Sequence, residues 1–163
     1  MASYKPLVFN TTTGITQQLQ AGDTLDGITS VARSRAMTNA NAGTINIGSP
    51  VYVSAADSVD LARANSGSTA KCIGLVMSTS IATTASGAII TNGQLSATTA
   101  QWDTVTGETG GLVANTDYYL SKATAGKLVA SLSGFTTGDY VVKVGRAYST
   151  TDMEVEPEAP VLL

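Results

Sequence analysis

The sequence predicts an all-β fold: a small β-sandwich or barrel of jelly-roll type with an extended N-terminal arm. Three observations carry this prediction. Short runs rich in Val, Ile, Thr and Tyr recur along the chain, and these residues favour strands. Gly, Pro, Asn and Asp interrupt the runs about every 8 to 12 residues, the spacing of a sandwich or barrel. Within the runs, apolar residues alternate with polar ones, as they do on a strand with one buried face. At 163 residues the chain suits one domain plus an arm.

Residues 1–21 form the expected arm, and residues 22–163 the β domain. Pro6 biases Lys5 toward extended geometry. The segment is too poor in apolar residues to build a core of its own. Its apolar side chains, Tyr4, Leu7, Val8, Phe9, Ile15 and Leu19, have no evident partner strand. They are candidate contacts with a surface outside the domain; an ordinary first strand of the main domain is the alternative. Residues 22–48 are rich in Gly, Thr and Asn, and "TNANAGTINIG" reads as a turn and a short strand.

From Pro50 the pattern is regular. Val51 and Val53 share a face, a turn follows, and Val59 and Leu61 lie two apart. In "KCIGLVMS", Ile73, Leu75 and Met77 alternate with Cys72, Gly74 and Val76. "GAIITNGQLS" reads as a strand broken at Asn92-Gly93, a strong turn signal. A short helical turn is expected near "ATTAQWD". "DYYLS" and "KLVAS" flank "KATAG" as a hairpin. Tyr118 and Tyr119 point to opposite faces of it. One fills the core; the other lies on the outer face or in a subunit contact, which makes both candidate subunit-contact residues. Packing of both tyrosines on their own neighbours is the alternative. Tyr140, Val142 and Val144 share a face, as do Met153 and Val155, with Glu154 and Glu156 opposite them until Pro157. No internal repeat is evident.

The composition excludes much chemistry. The chain contains no histidine, so Ser-His-Asp and Cys-His arrangements are impossible. Cys72 is the single cysteine and sits among apolar residues, which suits a small core side chain better than a nucleophile. Asp57/Asp60 and Asp23/Asp26 are carboxylate pairs, but turn-rich surroundings favour Asp as an acceptor for backbone amides. "GETGG" at 107 to 111 lacks the lysine and hydroxyl of a P-loop. No catalytic, metal-binding or cofactor residue is expected. Charged residues are only 13% of the chain, 9 basic against 12 acidic. Four of the acids, Asp152, Glu154, Glu156 and Glu158, cluster near the end. Arg33 and Arg35 are the only close basic pair, and no nucleic-acid footprint is present. No signal peptide or membrane-length apolar run is expected. Trp102 and the six tyrosines are the residues able to stack on sugars.

Two regions carry a family resemblance. "PLVFNTTTGITQQLQAGDTLDG" is similar to segments near the start of phage tail-fibre and other virion proteins. "GSPVYVSAADSVDLARANSGSTAKCIGLVMS", "TDYYLSKATAGKLV" and "GDYVVKVGRAYSTTDMEVEPEAPVLL" together resemble the small β domain of tailed-bacteriophage capsid decoration (cement) proteins and related fibre-base domains. The resemblance covers most of the chain and rests on the order of the motifs. It implies a non-enzymatic virion structural protein without cofactors. Such a protein is made in the host cytoplasm and binds the major capsid protein on the outside of the assembled capsid as a homotrimer. A head- or tail-fibre base or adaptor protein is the alternative. Neither nucleic acid nor membrane is an expected partner.

Overall fold

The computed structural model describes residues 7–10, 15–18 and 32–163. In chain order the strands begin with β1 (Leu7–Asn10), β2 (Ile15–Gln18), β3 (Arg33–Asn39), β4 (Ile45–Asn46) and β5 (Pro50–Ala55). There follow β6 (Ser58–Leu61), β7 (Cys72–Val76), β8 (Ser80–Ile81) and β9 (Ser86–Ser96). Helix α1 (Thr99–Thr106) precedes β10 (Asp117–Leu120), β11 (Leu128–Val129) and β12 (Tyr140–Val141). The last are β13 (Lys143–Ala147), β14 (Asp152–Val155) and β15 (Val161–Leu162). The fold is all-β, as the alternation predicts.

Strands β9, β3, β6, β5 and β7 pair in that order, and β7 returns to β9 to close a five-stranded barrel. Only β3 and β6 pair in parallel; the other neighbours are antiparallel. A second run continues from the far half of β9 through β14, β13 and β10 to β11. Strand β9 therefore belongs to both. Its first part pairs with β3 as far as Asn92, and from Gly93 to Ser96 it pairs with β14.

Each run has its own core. Met37, Val51, Val59, Val76 and Ile89 fill the barrel, joined by Ile45 and Ile81 of the β4–β8 pair. Leu75, Ile90, Leu95, Trp102, Tyr118 and Met153 belong to the larger second cluster. The neighbours Leu75 and Val76, and likewise Ile89 and Ile90, enter different cores, and all four are 0% exposed. Where β7 meets β9 both faces are covered, which is why "GLV" and "AII" read as unbroken apolar runs.

Several local expectations change. Asn92-Gly93 is not a hairpin turn; β9 runs through it. Gly93 has φ 111°, and a Cβ there would stand 2.8 Å from Ala32 Cα. The glycine serves a register irregularity between β3 and β9, where Arg33 faces Asn92 but Ser34 faces Ile90. Val53 shares β5 with buried Val51 but is 50% exposed, because burial fades along that strand. The helical turn near Trp102 is a full helix. Thr98 and Gln101 form a capping box at its start, and Gly107 closes its end in the left-handed conformation.

The N-terminal residues also differ from the expectation of strands without a partner. β1 and β2 pair with one another as an antiparallel hairpin, Leu7 opposite Gln18 and Asn10 opposite Ile15. Tyr4 and Leu19 lie outside the described residues, as do Asp23 and Asp26.

Candidate functional site

The residues with chemical potential are spent on the fold. Cys72 is buried, and burial pushes its thiol pKa up to about 12, so it stays protonated. Asp60 accepts from the Leu61 amide and from the Asn41 side chain, both at 2.7 Å. Asp57 pairs with Arg35 on the exposed face of β3. Asp103, within "TAQWDTVT", accepts from the amides of Gly110 and Gly111, which anchors the "GETGG" loop to the helix. Among the described residues no three His, Cys, Asp or Glu side chains are grouped to hold a metal. No helix among them is long and apolar enough to cross a membrane.

Trp102 offers no ring to a sugar. It is fully buried, and its indole N–H donates to the Thr151 carbonyl at 2.9 Å. Tyr118 is also fully buried, so it has no surface for a neighbouring subunit. Its hydroxyl accepts from the Val113 amide at 2.9 Å and donates to Glu108 at 3.0 Å. Burial raises its pKa, the Val113 bond opposes this, and Glu108 adds to the rise. Tyr119, on the other face of β10, stays partly exposed and is the one of the pair still able to meet another chain.

The acidic cluster divides. Asp152 accepts from Ser96 (2.5 Å), Ser149 (2.6 Å), Thr151 (2.8 Å) and Gln94 (3.1 Å). These bonds tie the β13–β14 turn to β9 and hold the carboxyl well below its usual range, Ser149 contributing most. Glu154 and Glu156 stay outside, beside Lys143, Arg146 and Tyr148, around a shallow groove of about 170 Å³. Lys143 lies 3.3 Å from Asp117 and 3.9 Å from Glu158, so the charges there largely answer one another.

Two surface features had no local signal in the sequence. The first is apolar. Val161 and Leu162 of β15, whose described pairing is with β12 alone, are 59% and 58% exposed, and Leu163 just beyond it is 47% exposed. The second is a cleft of about 350 Å³ between α1 and the β4–β8 pair. It is lined by Asn46, Ile47, Thr79, Ser80, Ala100, Gln101 and Thr104. Of the expected arm contacts, Leu7, Val8 and Phe9 fall on β1 and Ile15 on β2. Compared with known proteins, the chain matches no family model and no curated protein sequence.

Proposed function

We propose that this chain is a non-enzymatic virion protein that binds the outside of an assembled bacteriophage capsid as a homotrimer and stabilises it. The observation that carries the reading is the ordered set of motifs resembling decoration proteins. "VYVS" falls on β5, "IGLV" on β7, "YYLS" on and just after β10, and "VVKVGRA" on β12 and β13.

The surface supports this reading. With 13% charged residues, the exterior suits broad neutral contacts rather than electrostatic steering. The exposed apolar residues of β15 lie on a short outer strand, and an open strand edge is a liability that assembly covers. A protein that binds only the assembled shell stabilises it by mass action. Three linked copies turn weak single contacts into firm attachment.

The test is to strip the protein from its own phage heads, add it back, and image the particles by electron microscopy. Decoration across the whole shell, with light scattering at three times the 16.6 kDa chain mass, is the expected result. A monomer that fails to rebind overturns the proposal. The fibre-like N-terminal segment favours one second reading, an adaptor at a unique head or tail position. Density confined to that position would establish it.

A further inference from the structure

The cleft between α1 and the β4–β8 pair combines amide, hydroxyl and apolar side chains in one preformed hollow. No ionisable side chain contributes to it. Part of its polar lining is also unspent. Among the described residues, the Asn46 amide and the Thr79 and Ser80 hydroxyls make no hydrogen bond within the fold. Thr104 commits its hydroxyl to the Ala100 carbonyl within the helix, at 3.0 Å. Gln101 commits its amide oxygen to Thr98 at the helix cap. Ile47 and Ala100 add apolar surface between these groups.

The walls are fixed before any ligand arrives. Helix α1 is held by its capping box and by buried Trp102 and Val105. The β4–β8 pair is held by Ile45 and Ile81, each 1% exposed. A preformed site orders little on binding, which favours even a small ligand. Its volume lies at the low end of the roughly 300–1,000 Å³ of small-molecule sites.

The chemistry selects the ligand. A charged molecule would lose hydration with no counter-charge to replace it. A wholly apolar one would cover amide and hydroxyl groups without satisfying them. A hydroxyl-rich neutral ring matches both needs. Its hydroxyls donate and accept, as do the amide and hydroxyls that face it. Its C–H face packs on Ile47 and Ala100. We propose that this cleft binds a neutral saccharide ring. The inference does not depend on the capsid reading. On a particle with many copies, weak single sites would add up to useful avidity.

Saturation-transfer NMR on the free full-length chain tests it. The probes are glucose, galactose, mannose and N-acetylglucosamine at millimolar concentration, with glucuronic acid and glucosamine as charged counterparts. At least one neutral sugar should give transfer, and the charged pair should give none. Ala100→Leu, which fills the cleft and keeps a good helix former in α1, should abolish the signal. Asn46→Ala should weaken binding about two- to tenfold, the loss of one hydrogen bond. Both positions are exposed, so melting temperatures should not move. No transfer from any neutral sugar overturns the proposal, as does transfer that survives Ala100→Leu. Loss of capsid rebinding in Ala100→Leu without any sugar signal would instead make the cleft part of the capsid contact.

Discussion

Replacing Gly74 with alanine strikes the seam that closes the barrel. Gly74 lies on β7 opposite Val51. A Cβ added there would stand 2.0 Å from the Ile90 carbonyl oxygen and 2.9 Å from its carbon, where ordinary contact is 3.4–4 Å. The obstacle is backbone, so no side chain can swing aside, and the two strands must part by at least 1.0 Å, the difference between 3.0 and 2.0 Å. Yet β7 pairs with β9 at two positions, Leu75–Ile90 and Val76–Ile89, continued only by the Met77 and Ser78 amides on the Ala88 carbonyl. Overpacking of this kind costs about 1–3 kcal/mol. Each ladder hydrogen bond lost adds about 0.5–1.5 kcal/mol. With two such bonds lost the sum is about 2–6 kcal/mol, and in a chain of this size each kcal/mol lowers Tm by about 2–4 °C. Urea and thermal unfolding, followed by the fluorescence of the single tryptophan, should show it. Gly107→Ala is the control: it has the left-handed φ of 75° but no atom within 4 Å of the new Cβ. Its cost is about 1–2 kcal/mol. If Gly74→Ala is no worse than Gly107→Ala, the seam is not what closes the barrel.

Further outcomes follow from the buried and hydrogen-bonded groups. The Asp152 carboxyl is depressed in the folded chain, so its contribution is present above the unfolded value near 3.9 and is lost as pH falls toward the folded one. Acid titration of stability should therefore be shallower in Asp152→Asn than in the parent chain. Tyr118→Phe removes a hydroxyl that serves Val113 and Glu108 and should destabilise by about 1–3 kcal/mol in urea. Cys72, neutral and buried, should resist aromatic disulfide reagents at pH 8 and react once the chain is unfolded. Attachment to heads should change little with moderate salt, since charge is sparse; release by salt, measured by sedimentation, would point to Glu154, Glu156 and Glu158.

The strands with one buried face were legible because period two survives in them. Val142 and Val144 point inward, and Met153 and Val155 alternate with Glu154 and Glu156 as written. The β10–β11 hairpin was legible as two β-prone runs around "KATAG", while its register, Tyr119 to Val129 and Leu120 to Leu128, is set by the structure. The misreadings have physical causes. Asn92-Gly93 favours a turn locally, but pairing with β3 before it and β14 after it holds the chain extended. Helix α1 carried a usable sign, Thr98 three residues before Gln101, but the threonines around it weaken helix propensity. The two-residue strands β4 and β8 are too short to show any period. The cleft joins residues near 46, 79 and 100, so nothing local announces it.

The route of β9 ties the cores to the exposed surfaces. One strand serves as barrel wall up to Asn92 and as the first strand of the second run from Gly93 onward. Its side chains Ile89 and Ile90 anchor one core each. A displacement of β9 would therefore disturb both cores, which holds the two runs in fixed relation. The Asp152 cluster reinforces the join by bonding to Gln94 and Ser96 of the same strand. Surfaces carried on such a frame need little further ordering when they meet a partner, and that reduces the loss of freedom on association. On the capsid reading, the frame matters because a low-charge surface gains little from electrostatic steering. Rigidity, apolar contact and linked copies are then what remain to hold the protein on its particle.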